Sequence, residues 1–231
     1  MEHAPAVGVV TGMLAEARCL RRLDLRVACS GGSAERAGAE ARRLATDGVV
    51  ALVSFGLAGG LAPDLRAGDL LLPEAVRTPH GASIATDPRW RERLRARLET
   101  GGLRHAGGAL AGSKRVVATL SDKQALAETT GAVAVDMESH EVAAAAGAAG
   151  IPFLVIRAIA DPSDRVVPQA ALEALRPDGR VRVLATLGGV IRQPGQLITL
   201  LRLARDSAAA LATLRRVGAL GGADLGFDRR I

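Results

Sequence analysis

Aromatic side chains are nearly absent from this chain of 231 residues: they make up 2% of it, Trp90 is its sole tryptophan, and it has no tyrosine. Its core must therefore be aliphatic. Proteins that bind single-stranded nucleic acid stack the bases on aromatic side chains, and this composition offers almost no such platforms. We therefore expect no nucleic-acid partner.

Cysteine pairs and metal-ligand patterns are also missing. Cys19 and Cys29 have neither metal-binding nor redox spacing, which predicts free thiols in a reducing, cytoplasmic compartment. The four histidines lack the spacing of zinc ligands, so no metal site is expected. The first ten residues contain no basic segment followed by a long apolar run, and we expect no signal peptide.

No apolar run is long enough to predict a membrane span. The longest, residues 142–156, is broken by Gly147, Gly150 and Pro152, so it predicts a small-residue helix, a turn and a buried strand. The formal net charge is +6. Such an excess suits a phosphate ligand or an anionic membrane surface, and equally an ordinary solvated surface.

What the chain does have is a regular alternation of apolar strands and amphipathic helices. The strongest strands are predicted at residues 6–11, 49–55 and 153–160, and helices at residues 33–46, 88–99, 121–129 and 138–149. This order predicts an α/β fold, a three-layer α/β/α domain around a central mixed, largely parallel sheet.

We expect residues 1–231 to form a single domain with a helical C-terminal extension from about residue 168. A long helix is predicted to begin at Pro194. Residues 218–231 are predicted to be a loose tail.

Acidic residues stand at or just beyond the ends of three predicted strands. Glu16 follows the first strand, Asp136 and Glu138 flank Met137 after a short strand, and Asp161 ends the last strong strand. Ligands of open α/β sheets bind outside the carboxyl ends of the strands. Simpler interpretations stay open: a turn at Asp161, a helix cap at Asp136 with Glu138 on the helix dipole, and a solvated Glu16.

Four ordered segments resemble the nucleoside phosphorylase/nucleosidase superfamily, in particular its methylthioadenosine/adenosylhomocysteine nucleosidase branch. They are Gly8-Val-Val-Thr-Gly-Met-Leu-Ala-Glu16, Ser54-Phe-Gly-Leu-Ala-Gly-Gly-Leu61, Val135-Asp-Met-Glu-Ser139 and Arg157-Ala-Ile-Ala-Asp161. The matches cover about residues 7–165. Within the superfamily, residues 11–17, residues 135–140 and the long helix after Pro194 look most like hopanoid-associated phosphorylase, which acts on adenosylhopane.

The resemblance implies a role for each acidic residue. Asp161 would be the general acid that protonates adenine N7, which requires a raised pKa in a sheltered site. Glu138 would hold the ribose hydroxyls, Met137 would contact the sugar, and Glu16 would orient or deprotonate the nucleophile. Arg157 would help to bind that nucleophile or another anion.

The remaining substrate-binding candidates that the resemblance implies are Asp136, Ala58, Gly59, Val116 and Val117. The chain also departs from the family. Leu57 stands where a hydroxyl residue is common, Ala160 replaces a frequent serine before the acid, and the valine pair occupies the region of an adenine-stacking phenylalanine.

The nucleophile is left open between water and phosphate, and no cofactor is expected besides phosphate as co-substrate. If water attacks, Glu16 is its natural base. If phosphate attacks, Ser30, Gly31 and Gly32 with Arg36 offer a basic, glycine-rich cradle. The same segment is equally explained as an ordinary strand-to-helix turn in which Ser33 caps the helix.

The substrate is expected to be a small-molecule nucleoside, and the resemblance to the hopanoid enzyme implies a lipid-linked one. The helix at residues 194–217 would then form an apolar groove or contact the inner membrane through its arginine-rich face, although a plain core helix explains its apolar stripe as well. A homo-oligomer is implied by the resemblance.

Two other functions stay open: cleavage of small soluble nucleosides such as methylthioadenosine, and a non-catalytic nucleotide-binding module.

Overall fold

The computed structural model describes residues 6–168 and 197–228. The described strands are β1 (Val7–Thr11), β2 (Leu25–Cys29), β3 (Ala51–Gly60), β4 (Leu70–Leu71), β5 (Ala75–Arg77), β6 (Ser83–Ala85), β7 (His105–Ala106), β8 (Ala109–Gly112), β9 (Ala134–Asp136) and β10 (Phe153–Asp161). The described helices are α1 (Leu14–Ala17), α2 (Ala34–Thr46), α3 (Pro88–Thr100), α4 (Leu120–Thr130), α5 (Ser139–Ala149) and α6 (Leu197–Leu220).

The long strands β3 and β10 form the centre of the sheet and run parallel. The first half of β3 pairs with β1, which pairs in turn with β2, and both pairings are parallel. The second half of β3 pairs with β9, which is antiparallel. The sheet is thus mixed and largely parallel, and the predicted fold class is confirmed.

Side chains alternate between the two faces of the central strands, as the twofold period of a strand requires. Along β10, Leu154, Ile156 and Ala158 contact the core on the side of α3 and α6. Phe153 and Val155 contact the core on the side of α2 and α5. Helices therefore cover both faces, which explains why these strands are almost continuously apolar.

The predicted loose tail is wrong for the residues that the structure describes. Leu225 and Phe227 are buried in the same core as α6. The indole Nε1–H of Trp90 donates to the Leu225 carbonyl at 2.8 Å, and the Trp90 and Phe227 rings are 4.9 Å apart. One aromatic contact and one buried hydrogen bond thus fix the segment after α6, a long-range interaction that the local sequence does not reveal.

The α6 helix is described from Leu197, so its predicted start at Pro194 lies outside the described residues, as do residues 169–196 and 229–231 of the predicted extension. Its buried residues Ala210, Leu214 and Val217 contact the core beneath the sheet. None of the described helices is long and apolar enough to cross a membrane.

Candidate active site

The structure brings the four acidic candidates to one cavity of about 480 Å³ at the carboxyl ends of the central strands. Glu16 reaches it from α1, Asp136 and Glu138 from the end of β9, and Asp161 from the end of β10. The first three belong to what we call the buried carboxylate cluster, Glu16, Asp136 and Glu138. The pairing of both β9 and β10 with β3 therefore brings together residues that lie far apart in sequence.

The Glu16 carboxylate is held by backbone N–H groups on both of its oxygens. Met13 N–H donates to Oε2 at 2.7 Å, and Leu57 N–H donates to Oε1 at 2.9 Å. The residue is 2% exposed. Burial raises the pKa of Glu16, which the Arg157 guanidinium and these backbone donors oppose. Glu16 is therefore buried, and the simpler interpretation of a solvated helix residue is wrong. A raised pKa suits a base that takes up a proton near neutral pH.

Glu138 follows β9 at the N-terminus of α5. Burial raises its pKa to about 7; Arg157 opposes this, and the neighbouring carboxylates of Asp136 and Glu16 add to it. The loop after β1 passes close to Glu138, because a Cβ atom on Gly12 would lie 2.8 Å from Glu138 Oε1.

Asp136 has two roles in the fold. Its carboxylate accepts the Ser139 N–H at 3.2 Å at the start of α5, as the simpler capping interpretation expected. It also pairs with the Arg157 guanidinium.

Arg157 lies at the centre of the buried carboxylate cluster and is itself 1% exposed. Its Nη2 donates to Ser54 Oγ at 2.7 Å and to Glu138 Oε2 at 3.3 Å, in addition to its contact with Asp136. Burial alone would lower the Arg157 pKa, but the surrounding carboxylates raise it above its usual value. Arg157 is not among the residues that line the cavity. The structure therefore directs this side chain to the carboxylates of the protein.

Asp161 enters the cavity at an irregularity of the sheet. The pairing of β10 with β3 shifts between Ile159 and Asp161, a bulge that re-aims the side chain. A Cβ atom on Gly59 would lie 3.0 Å from Asp161 Oδ2, so only glycine leaves room for the carboxyl there. Burial raises the pKa of Asp161, and a 2.7 Å ion pair with Lys123 opposes that rise.

Sequence reasoning missed Lys123, which is 1% exposed beside Asp161. A signal was present: the residue stands in the first turn of a predicted helix, where the helix dipole disfavours a cation.

The rest of the cavity wall is mainly apolar. The substrate-binding candidates Ala58, Gly59, Val116, Val117 and Met137 all line it. Other apolar residues of the wall come from the segment after β10 and from α6: Val167, Leu200, Leu203, Ala204 and Leu211.

The candidate phosphate cradle only partly meets the cavity. Gly32 lines it, whereas Ser30, Gly31 and Arg36 do not. Gly31 and Gly32 have positive φ angles of 67° and 72°. Ser30 is buried, and its Oγ has no hydrogen-bond partner among the described residues. Ser33 accepts the Arg36 N–H at 3.3 Å, so the capped turn of the alternative interpretation is present.

Within residues 6–168 and 197–228, no group of three or more histidine, cysteine or acidic side chains is placed to hold a metal ion.

Comparison with known proteins identifies one family. The sequence profile of the phosphorylase superfamily matches residues 9–192. No curated protein matches the chain by sequence.

Several solved structures are similar in fold. A 5′-methylthioadenosine/S-adenosylhomocysteine nucleosidase from Neisseria meningitidis, in complex with methylthio-immucillin-A, has 17% identity and a TM-score of 0.72 over 94% of this chain and 98% of that one. Futalosine hydrolase from Helicobacter pylori has 16% identity and a TM-score of 0.68 over 95% and 100%. A nucleosidase mutant from the same organism, with 5′-methylthioadenosine in its active site, has 17% identity and a TM-score of 0.67 over 94% and 100%.

Proposed function

The chain belongs to the phosphorylase superfamily, and from this we propose that it cleaves the N-glycosidic bond of an adenine nucleoside with water as the nucleophile. The observation that supports the proposal is the presence of Glu138 and Asp161 on the wall of one cavity. A sugar-binding carboxylate and a general acid must both reach the same nucleoside, and these two residues meet that requirement.

The chemistry follows from the charges that develop as the base leaves. The electron pair of the C1′–N9 bond passes to adenine, and Asp161 delivers a proton to N7 so that the base departs neutral. The sugar becomes cation-like, and the buried carboxylate cluster stabilises it, with Glu138 on the ribose hydroxyls. Glu16 removes the proton of the attacking water as its oxygen bonds to C1′.

Water fits the electrostatics of the cavity better than phosphate does. The buried carboxylate cluster holds three acidic groups, and Arg157, which pairs with two of them, does not line the cavity. Arg115 does line it, but this residue is exposed to solvent, which screens its charge. Two like charges 4 Å apart repel by about 4 kcal/mol at an effective dielectric constant of 20. A phosphate dianion beside Glu16 would meet this repulsion, whereas neutral water would not.

Phosphorolysis is a second candidate, and the segment after β2 favours it. The Gly31 and Gly32 backbone has the left-handed conformation typical of anion-binding turns, and Gly32 reaches the cavity. The buried Ser30 Oγ lacks a partner among the described residues and is free to donate. Phosphate would then be a co-substrate, and the product would be a sugar 1-phosphate.

For the 5′ substituent we propose a large apolar group, with adenosylhopane as the substrate that the resemblance to hopanoid-associated phosphorylase implies. The apolar wall from α6 supports this proposal. Val116 of the cavity wall is 43% exposed, and two residues of α6, the helix that supplies part of the wall, are exposed as well, Ile198 at 62% and Leu201 at 61%. We propose that these three side chains form an apolar rim. An apolar rim of this kind suits a lipid-linked substrate and peripheral contact with the membrane that holds it.

The test measures adenine release from adenosylhopane in detergent micelles and from methylthioadenosine, each with and without phosphate. We expect a higher kcat/KM for adenosylhopane, a rate independent of phosphate, and a free sugar as product. Glu16→Gln is the matched control, because it keeps the shape of the side chain and removes the base.

Each contrary result identifies an alternative. A rate that requires phosphate, with a sugar 1-phosphate product, supports phosphorolysis. Preference for methylthioadenosine supports a nucleosidase of small soluble substrates, and adenine binding without release supports a non-catalytic module. Light scattering of the purified protein tests the homo-oligomer that the resemblance implies.

A further inference from the structure

Lys123 is a buried lysine whose hydrogen bonds all go to the end of β10. Its ammonium donates to Asp161 Oδ2 at 2.7 Å, to the Asp161 carbonyl at 3.1 Å and to the Pro162 carbonyl at 2.8 Å. An ammonium has three protons to donate, and these three bonds use them all. The Lys123 ammonium therefore binds Asp161 and the residue that follows it, and has no proton left for another partner.

Lys123 stands at a position where a lysine is expected to contribute little to the stability of the fold. It lies in the first turn of α4, where the helix dipole disfavours a cation, and its side chain is 1% exposed. Replacing a buried ion pair by apolar side chains of similar size is often neutral or stabilising. Stability therefore does not explain why a lysine stands at this position.

The contact leaves Asp161 with one held oxygen and one open oxygen. Lys123 binds Oδ2, while Oδ1 accepts no hydrogen bond from the described residues. The preceding residue, Ala160, has no hydroxyl that could hold the carboxyl, and both residues line the cavity. Lys123 thus supplies, from a different element, the donor that β10 lacks.

We propose that Lys123 is a positioning residue for the departure of the base, an inference that rests on the proposed function. As the C1′–N9 bond breaks and its electron pair passes to the base, Asp161 Oδ1 gives its proton to N7. The carboxylate that remains is already paired with the Lys123 ammonium, in a site where burial limits screening by water. Lys123 therefore keeps Oδ1 directed at the base and stabilises the charge that the proton transfer leaves behind.

Other charged groups around Asp161 do not replace Lys123. Burial raises the Asp161 pKa, Lys123 lowers it, and Asp206 of α6 raises it further. Arg165 pairs with Asp206 at 3.4 Å and with Asp164 at 3.0 Å. Loss of the lysine charge should therefore raise the Asp161 pKa, because burial and Asp206 remain.

The experiment compares Lys123→Met, which removes the charge at similar length, with Lys123→Arg, which retains it. Lys114 is the other lysine of the chain and is exposed, so Lys114→Met is the matched control for loss of one ammonium. Asp161→Asn, alone and combined with Lys123→Met, completes a double-mutant cycle. Circular dichroism checks folding, and Lys123→Gln replaces Lys123→Met should that variant not fold.

We expect Lys123→Met to lower kcat for adenine release about 10- to 100-fold, part of what a general acid contributes. The alkaline limb of the kcat/KM profile should move to higher pH, and Lys123→Arg should leave the limb in place. In the Asp161→Asn background, Lys123→Met should cost no further activity. An unmoved limb, or an equal loss in both backgrounds, would overturn the inference.

A substrate-free readout separates this inference from the proposed function. Carbon-13 NMR follows the titration of the Asp161 carboxyl, whose resonance is assigned by its absence in Asp161→Asn. Its midpoint should rise in Lys123→Met and stay unchanged in Lys114→Met. If the wild-type protein releases no base, the proposed function fails, and this titration still decides whether Lys123 controls Asp161. An unmoved midpoint refutes that control.

Discussion

Arg157→Met removes the guanidinium that pairs with Asp136 and Glu138 inside the buried carboxylate cluster. The arginine and the Asp136 side chain are each 1% exposed, so water cannot take the place of the lost partner without a rearrangement. Breaking a buried ion pair by removing one member costs about 3–5 kcal/mol. For a chain of this length, each 1 kcal/mol lowers the melting temperature by about 2–4 °C. We therefore expect a fall in Tm of roughly 6–20 °C.

The loss should depend on pH in a defined direction. Arg157 lowers the pKa values of Glu16 and Glu138, so its removal raises both in the folded state. Above the unfolded carboxyl pKa of about 4.3, the folded variant then binds more protons than the unfolded chain. Its stability must fall as pH rises, by about 1.4 kcal/mol per pH unit for each proton that differs. The deficit relative to wild type should be larger at pH 8 than at pH 5.

Urea titration at pH 5 and pH 8 measures both quantities, with the change in Tm as a second observable. Arg95→Met is the matched control, because Arg95 also pairs with two carboxylates, Glu92 and Glu99, but on the surface. We expect a much smaller change there, since water and salt screen exposed pairs. If Arg157→Met is as stable as Arg95→Met, or its deficit does not grow with pH, the assignment of Arg157 as the counter-ion of the cluster is wrong.

Three further predictions concern activity. The kcat/KM profile should be bell-shaped: activity falls as pH drops through the raised pKa of Glu16, which must be ionised, and falls as pH rises through the raised pKa of Asp161, which must be protonated. Gly59→Ala should lower kcat about 100-fold, because the new Cβ would lie 3.0 Å from Asp161 Oδ2 and displace the acid. Leu201→Ser should raise KM for adenosylhopane about fivefold and leave methylthioadenosine turnover unchanged, since Leu201 is exposed and belongs to the proposed rim.

Controls for these predictions are available in the chain. A Cβ atom on Gly147, within α5, meets no atom within 4 Å, so Gly147→Ala should retain full activity and gain slightly in stability. A kcat/KM profile that falls on only one side of pH would show that either Glu16 or Asp161 does not have its proposed role. Equal effects of Leu201→Ser on both substrates would show that the rim does not contact the 5′ group.

The strongest elements could be predicted from the sequence because each satisfies its own local rule. Central strands β3 and β10 are continuously apolar, and α5 ends at Gly150, whose φ of 65° is the left-handed conformation that glycine favours. The short strands β5 to β8 carry no such pattern. They have two to four residues each. β5 and β6 pair with each other across a short loop, whereas β8 pairs with β5 from a distant part of the chain.

The carboxylates of the site were predictable as strand-end residues, whereas their partners were not. Glu16, Glu138 and Asp161 stand beside recognisable motifs, and a strand order fixes where strand ends meet. Lys123 comes from α4, which no motif connects with β10. Arg157 could be predicted as a residue of the site. The sequence could not reveal that its guanidinium binds carboxylates of the protein and not a ligand.

The C-terminal helix shows why stability and specificity cannot be separated by removing a segment. One side of α6 contributes Leu214 and Val217 to the core, and the chain beyond it adds Leu225 and Phe227. The N-terminal part of the same helix lines the cavity, for example with Leu200. Deleting the helix would expose part of the core, so lost turnover would report unfolding and not a lost binding site. Exposed positions of the helix, such as Leu201, can be changed without disturbing the core. A role of α6 in recognising a lipid tail must therefore be tested with a variant that still folds. The test compares how the substitution changes turnover of adenosylhopane and of methylthioadenosine.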